Sequence, residues 1–184
     1  MSNNHTISVL KPNVSQREAL RCFSATGLAS VYWRLRSGPL RRIADAYVPY
    51  SLFTVRFRTN NHVARRSFAM DAVNGSLDLF QFSRAPEPHQ LVSISTRNTI
   101  SPSLLDAFAE ELLRQKVLRL IFQQGFFKVR DPKLEIRREH PLIYIPYWLG
   151  FYGNTVARCR ALDAVRRRFE GAKASAFFEQ WLAA

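Results

Sequence analysis

Two stretches of the chain carry apolar side chains at almost every position, so that both faces of an extended strand are hydrophobic. They are AYVPYSLFTVRF (residues 46–57) and IYIPYWLGFYG (residues 143–153). Side chains alternate between the two faces of a strand. In the first stretch Val48, Tyr50 and Leu52 lie opposite Phe53, Val55 and Phe57; in the second Ile145, Tyr147, Leu149 and Phe151 lie opposite Tyr144, Trp148 and Tyr152. One helix covers one face, and the other face needs the terminal helix, a second protein chain or a ligand.

The two stretches belong to an internal repeat. Tyr47, Pro49, Tyr50 and Leu52 match Tyr144, Pro146, Tyr147 and Leu149 at an offset of 97 positions. The tripeptide Asp-Ala-Val recurs at 71–73 and 163–165, NVSQREALRCF (13–23) matches TISPSLLDAFA (99–109), and TISVL (6–10) matches LVSIST (91–96). Blocks that match in the same order indicate two copies of one unit.

Local signals predict the elements of each copy. TISVL and LVSIST are short β-branched runs typical of strands. Ser15 and Glu18 form a capping box at the start of a helix that ends at Ser37-Gly38-Pro39. In the second copy Ser101 is the predicted N-cap and Pro102 the first helical residue, and the helix ends at about Gln124.

Two long strands follow in each copy, with predicted tight turns at Asn60-Asn61 and Gly153-Asn154. Asn74-Gly75 predicts a type I′ hairpin into a further strand, SLDLFQF. The second copy instead has an insertion of about eleven residues, GFFKVRDPKLE, before its long strand and ends in a helix within RRRFEGAKASAFFEQWLAA. Pro49 and Pro146 predict a sheet edge or a bulge, because proline lacks a backbone donor.

The predicted order is β-α-β-β-β, a linker and β-α-β-β-α, which indicates an α+β fold. We expect a duplicated β-α-β-β(-β) unit with antiparallel sheets, one long helix per repeat and a C-terminal helix, the copies being related by a pseudo-two-fold axis. Residues 1–83 form the first repeat, 84–90 the linker, and 91–184 the second repeat with the terminal helix. Since a unit of this size buries little of its own apolar surface, the copies are expected to share a core.

Charge and compartment narrow the function classes. The chain has 27 basic and 14 acidic residues, a net charge of +13, which favours polyanionic partners such as nucleic acid. An arginine-rich composition explains the same charge without any partner. The sequence lacks a secretory signal and an apolar segment long enough to span a bilayer, so we expect a cytoplasmic protein. Cys22 and Cys159 are expected to be buried free thiols.

No short motif of a metal site, phosphate loop or nucleophile elbow occurs in the sequence. The four histidines are isolated, and we expect no cofactor and no metal ion. Asp71 and Asp163 are the acids of most interest, because the repeat aligns them. A shared carboxylate site is one interpretation, and capping of nearby backbone N–H groups at a strand end is the other.

The segment DAVNGSL (71–77), which follows a helix and a strand hairpin, resembles the strand and turn that close PepSY-type and related cystatin-like modules. The resemblance covers about thirty residues of the first copy and is weak in the second, where Arg166, Arg167 and Arg168 replace the turn. It implies a protein-binding or inhibitory domain. In outline only, a duplicated β-α-β unit with a basic surface is also similar to the TATA-binding protein.

Together these patterns predict a non-enzymatic binding module that uses an aromatic sheet face to bind a protein partner or a second copy of itself. The candidate residues are Tyr47, Tyr50, Tyr144, Tyr147, Trp148 and Tyr152. The alternative is a basic nucleic-acid-binding protein that uses Arg65, Arg158, Arg166, Arg167 and Arg168. The doublets Arg41-Arg42 and Arg137-Arg138 also lie just before the long strands, and basic side chains at strand edges alternatively serve to prevent aggregation.

Overall fold

The computed structural model describes residues 5–24, 28–59, 62–78, 85–123, 133–139, 142–153 and 158–183. The fold of these residues is α+β with a mostly antiparallel sheet, as predicted. The strands are β1 His5–Leu10, β2 Leu40–Thr59, β3 His62–Asp71, β4 Leu77–Asp78, β5 Leu91–Thr96, β6 Lys133–Arg138, β7 Ile143–Tyr152, β8 Arg158–Asp163 and β9 Arg168–Phe169. The helices are α1 Gln16–Ser24, α2 Leu28–Ser37, α3 Asp106–Gln123 and α4 Ala172–Ala183, with a short 3₁₀ turn at Pro88–Gln90.

The capping box at the start of α1 is confirmed. The backbone N–H of Ser15 donates to Glu18 Oε2 at 2.9 Å, and the backbone N–H of Glu18 donates to Ser15 Oγ at 3.3 Å. The end of α2 is confirmed as well, because Gly38 adopts a φ of 84°, a value that glycine accepts without steric cost. Two helical segments, α1 and α2, are described within the single helix that was predicted between these two ends, and residues 25–27 lie outside the described ranges.

The predicted start of α3 is wrong. The helix begins at Asp106, several residues after Ser101 and Pro102. The backbone N–H groups of Ser103 and Leu104 donate to the carbonyl oxygen of Ala72 at 3.0 and 2.9 Å, and the Ser103 hydroxyl donates to Val73 O. These bonds tie the segment to the loop after β3 and keep it out of the helix.

The predicted type I′ turn at Asn74-Gly75 is also wrong. Such a turn needs a positive φ at both residues, and only Gly75 has one, at 71°. The loop is longer, because the Asp71 N–H donates to Ser76 O and the Gly75 N–H donates to Asp71 O. Of the strand predicted after it, Leu77–Asp78 is described as a strand. Residues 79–82 of that prediction lie outside the described ranges, as do Asn60, Asn61 and Asn154.

Residues 48–91 and 101–144 form one compact unit, called unit 2. Its central strand is the second part of β2, which pairs antiparallel with β3 on one edge and with β6 on the other. One face of this sheet packs against α3. The core contains Phe53, Val55, Phe68 and Met70 from the strands and Ala109, Leu113 and Val117 from the helix.

Residues 1–47, 92–100 and 145–184 form the other compact unit, called unit 1. Here β7 pairs antiparallel with β8, and β8 pairs with β9. Helix α1 packs on one face of these strands, where Val14, Ala19 and Phe23 meet Tyr152, Leu162 and Ala164. On the opposite face Tyr147 packs against Phe178 of α4, with ring centroids 5.4 Å apart.

This division of the chain differs from the predicted division into residues 1–83 and 91–184. Each unit combines segments from both halves of the sequence. Helix α1 of the first half covers β7 and β8 of the second half, whereas α3 of the second half covers β2 and β3 of the first. The segments of the two units therefore alternate along the chain, and the predicted linker does not separate one unit from the other.

Both prolines of the repeat lie where a hairpin ladder begins. In unit 2 the Ala72 N–H donates to Pro49 O at 2.9 Å, and the pairing of β2 with β3 starts at Tyr50 opposite Asp71. In unit 1 the Ala164 N–H donates to Pro146 O at 3.0 Å, and pairing starts at Tyr147 opposite Asp163. The carbonyl oxygen of each proline thus accepts a hydrogen bond. Each proline lies one residue before the first paired residue of its hairpin, so this hairpin does not need the N–H group that proline lacks.

Among the described residues, no helix is long and apolar enough to cross a membrane.

Gly150 has a packing role that yields a test of the core of unit 1. A Cβ atom at this position would lie 2.6 Å from Cδ1 and Cε1 of Phe23, whose ring is also held edge-on against Phe169. Overpacking a core in this way typically costs about 1–3 kcal/mol. We expect Gly150→Ala to lower the free energy of unfolding by that amount, measured by urea denaturation.

Gly171→Ala is the matched control, because a Cβ atom there meets nothing within 4 Å. The second variant Phe23→Leu, combined with Gly150→Ala, is expected to recover part of the loss by shortening the side chain that clashes. Equal stability of Gly150→Ala and the wild type would contradict the packing of Phe23 on β7.

Candidate functional site

The aromatic side chains that the sequence assigns to a binding face are largely buried. Tyr47, Tyr50, Tyr147 and Tyr152 are each less than a tenth exposed, and Tyr144 and Trp148 are partly buried. In unit 1 the Tyr47 hydroxyl donates to Asp45 Oδ2 at 2.9 Å, and burial together with this carboxylate raises the pKa of Tyr47. The Trp148 indole N–H donates to Val14 O at 2.9 Å. These residues are thus core and anchoring residues in this structure and do not form an exposed face.

The arginines that the sequence assigns to polyanion binding are exposed to different degrees, and most contact an acid. Arg167 lies 2.9 Å from Glu18, Arg168 lies 3.6 Å from Glu170, and the largely buried Arg166 lies 3.7 Å from Asp163. Arg158 is exposed. In unit 2 the exposed Arg65 lies 3.2 Å from Glu139. The four arginines of unit 1 are spread over β8, the following turn and β9.

Four exposed basic side chains lie on one side of the sheet in unit 2. Phe53 and Val55 face α3, so Thr54 and Arg56 face the opposite side of the sheet. Arg56 is directly opposite Arg65 of β3 and opposite Glu135 of β6. By the same register Arg137 and Lys133 point to this side, and both are exposed. We call Arg56, Arg65, Lys133 and Arg137 the basic face.

Two glutamates neutralise the basic face in part. Arg56 lies 3.5 Å from Glu135, and the two side chains are 58% and 66% exposed. Arg65 is 67% exposed and contacts the more buried Glu139. The Arg56–Glu135 pair, in which both side chains are more than half exposed, contributes little, about 0–1 kcal/mol. Arg56 is therefore available to exchange this partner for a stronger one, and the Arg65 side chain is exposed beside it.

Sequence reasoning identified Arg65 but missed Arg56 as its partner. The signal was present, because Phe53, Val55 and Phe57 alternate with Thr54 and Arg56 and so assign the arginine to the other face. Arg137 was noted only as part of a doublet. Its place on the same surface depends on β6, a strand that lies at the end of the predicted insertion.

Asp71 and Asp163 each organise the turn in which they lie. Asp71 Oδ1 accepts hydrogen bonds from the backbone N–H groups of Val73 and Asn74 at 2.7 and 3.2 Å. Asp163 Oδ1 accepts from the backbone N–H groups of Val165 and Arg166, both at 2.8 Å. Burial raises the pKa of Asp71, and the bonds from Val73 and Asn74 oppose that rise. The geometry is that of a turn cap, and the carboxylates are already occupied by it.

The described residues contain no group of three or more His, Cys, Asp or Glu side chains arranged to hold a metal ion. Burial raises the pKa of the Cys159 thiol to about 12, with the Glu179 carboxylate acting in the same direction. A thiol with that pKa is protonated at neutral pH and is a poor nucleophile.

Comparisons of the chain with models of protein families, with curated proteins and with solved structures find no match. The resemblance to PepSY-type and cystatin-like modules stays a prediction from the DAVNGSL segment.

The turn caps lead to a prediction about stability. Asp163 is fully buried, so Asp163→Ala leaves two backbone N–H groups without their acceptor. At roughly 1–3 kcal/mol per unsatisfied group we expect a loss of about 2–6 kcal/mol. Asp163→Asn keeps an oxygen acceptor of the same size and is expected to lose less. Thermal and urea unfolding of both variants measure the difference, and similar losses for Ala and Asn would argue against capping as the role of this side chain.

Proposed function

We propose that this protein is a non-enzymatic binding module for polyanions, nucleic acid in particular, and that the basic face is its contact surface. The observation that carries the proposal is the direct opposition of Arg56 and Arg65 across β2 and β3 on an exposed side of the sheet. Like charges directly opposite each other destabilise a strand pair. A phosphate group held between the two guanidinium groups converts that repulsion into attraction on both sides.

The chemistry of the ligand follows from the side chains. Arginine forms bidentate, charge-assisted hydrogen bonds with phosphate oxygens, which are about twice as strong as neutral hydrogen bonds. Arg137 and Lys133 extend the positive surface along β6, so a ligand that presents a row of phosphates fits better than a single anion. The net charge of +13 adds a long-range attraction for such a ligand.

A protein partner or a second copy bound through the aromatic residues is the other function that the sequence predicts. It has less support, because Tyr50 and Tyr147 are less than a tenth exposed and Tyr147 packs on Phe178 of the same chain. Partner binding there requires these rings to leave their present contacts. A cytoplasmic location fits the nucleic-acid proposal and is part of it.

We also infer that the chain is a duplicated unit with a pseudo-two-fold relation between its copies. The support is local, since Pro49 and Asp71 make the same backbone and turn bonds as Pro146 and Asp163. The helices agree when they are aligned by their core residues, because Ala19 with Ala109 and Phe23 with Leu113 both give an offset of 90. The sequence match of residues 13–23 with residues 99–109 gives an offset of 86 instead. The two values differ by four residues, which is about one helical turn.

The test is binding of fluorescently labelled single-stranded and duplex DNA and RNA, measured by anisotropy from 0.05 to 0.3 M salt. Each phosphate contact on a duplex contributes a slope of about −0.9 to the plot of log K against log salt concentration. We expect the double variant Arg56→Gln/Arg65→Gln to reduce the magnitude of the slope by about 1.8 and to weaken binding by about 10- to 100-fold at 0.1 M salt.

The control is Arg17→Gln/Arg21→Gln, which removes the same charge from exposed positions of α1. It is expected to retain most of the affinity. Equal losses in both double variants would mean that binding depends on net charge and not on the basic face. Absence of binding at the lowest salt concentration would overturn the proposal, and aggregation of Arg56→Gln/Arg65→Gln at unchanged affinity would assign the arginines to solubility.

A further inference from the structure

Arg160 is a buried arginine in the core of unit 1. It lies on β8 opposite Gly150, and only 8% of its surface is exposed. Its guanidinium carbon lies 3.5 Å from the centroid of the Phe169 ring and 5.7 Å from that of Trp33 on α2. The Trp33 ring in turn lies 6.0 Å from Tyr152. Three aromatic side chains thus surround the charged group.

The hydrogen bonds of this guanidinium are incomplete. Tyr152 is a hydrogen-bond partner, yet Nη1 is buried and has no partner among the residues that the structure describes. Burial lowers the pKa of Arg160, and the group that opposes this effect is Tyr152 and not a carboxylate. A buried charged donor without an acceptor lowers the free energy of unfolding and is rare in folded proteins. Stability therefore does not explain why an arginine is present at position 160.

The other unit shows that the fold does not need an arginine at this place. Gly150 and Arg160 form the cross-strand pair three residues beyond Tyr147 and Asp163. In unit 2 the pair three residues beyond Tyr50 and Asp71 is Phe53 and Phe68, both buried in a hydrophobic core. An apolar residue therefore fills the corresponding position of a similar hairpin, and replacement of buried charges by apolar side chains is often neutral for stability.

A second buried polar group lies on α2, one helical turn after Trp33. Ser37 follows Trp33 by four residues, so both side chains are on the same side of the helix. Ser37 is 7% exposed, and its Oγ atom is buried without a hydrogen-bond partner in the described part of the chain. The end of α2 thus adds a hydroxyl donor beyond the tryptophan that neighbours Arg160.

We propose that Arg160, with Trp33 and Phe169 as its walls, is a binding site for a small oxyanion, a carboxylate or phosphate group, that accepts a hydrogen bond from Nη1. The aromatic rings exclude water and so strengthen the charge-assisted bond. Trp33 and Phe169 are both partly exposed, and a ligand has to pass these two side chains to reach Arg160. The site is separate in sequence from the basic face of unit 2.

Isothermal titration calorimetry of the full chain with sodium acetate and with sodium phosphate, against sodium chloride at equal ionic strength, tests this proposal. The titration is run on the Arg56→Gln/Arg65→Gln variant as well as on the wild type, so that phosphate held on the basic face is separated from the site at Arg160. In that variant we expect saturable 1:1 binding of at least one of the two oxyanions, and the stronger of them distinguishes a carboxylate ligand from a phosphate ligand. Arg160→Met is expected to weaken this binding at least tenfold. Arg158→Met removes an exposed arginine from the same strand and is expected to leave binding unchanged.

NMR spectra of the arginine side chains of the wild-type protein give a second readout that needs no variant. The resonances of Arg160 are expected to shift on addition of the oxyanion and to saturate with the calorimetric binding curve. Arg160→Phe reproduces the residue of unit 2 and provides a folded variant if Arg160→Met unfolds. Absence of saturable binding up to 10 mM, or equal binding by the Arg160 and Arg158 variants, would overturn the proposal.

The experiment separates this site from the proposed nucleic-acid function. Arg160→Phe is expected to bind DNA like the wild type, whereas Arg56→Gln/Arg65→Gln is expected to keep the 1:1 binding of the small oxyanion that depends on Arg160. Loss of both activities in a single one of these variants would mean that the two sites are not independent.

Discussion

The need to keep water from both faces of β2 and β7 governs the structure. These strands carry aromatic and aliphatic side chains on both faces, so neither face can be left in water. Each such side chain stabilises the folded state by about 1.5–3 kcal/mol when it is buried, and this stabilisation is lost when it is exposed. In unit 1 the two covers are α1, which meets Tyr152, and α4, which meets Tyr147. Packing of this kind turns residues that look like a binding face in the sequence into core residues.

The same constraint leaves the second part of β2 as the place for a polar surface. After Thr54 the strand alternates between residues that face α3 and residues that face solvent, and this is where Arg56 appears. A sheet covered by one helix has one free side, and β3 and β6 contribute Arg65 and Arg137 to it. The basic face is therefore a consequence of where the two-sided apolar pattern ends along β2.

Much of the local structure could be predicted because its causes are local. The capping box of Ser15 and Glu18, the end of α2 at Gly38 and the strands β1 and β5 depend on residues within a few positions of one another. The errors have distant causes. Helix α3 starts late because Ser103 and Leu104 bond to Ala72, about thirty positions earlier, and no local pattern indicates that bond.

For the basic face, too, the part that depends on neighbouring residues could be predicted and the part that depends on distant strands could not. Alternation alone gives the side of the sheet on which Arg56 lies, but the strand that brings Arg137 beside it begins outside any repeat match. The interleaving of the halves has no local signal at all. Hydrophobic periodicity shows that α1 and α3 each have an apolar side, yet it does not say that each covers strands from the other half of the chain.

Comparison of the two hairpins explains how one core accommodates a buried charge. In unit 2 Phe53 and Phe68 fill the space between sheet and helix with their own rings. In unit 1 Gly150 has no side chain, and its place is filled by the ring of Phe23 from α1, which packs against the ring of Phe169 from β9. The aromatic side chains of this core thus come from neighbouring elements. The residue paired with Gly150 therefore does not have to be aromatic, and Arg160 occupies that position.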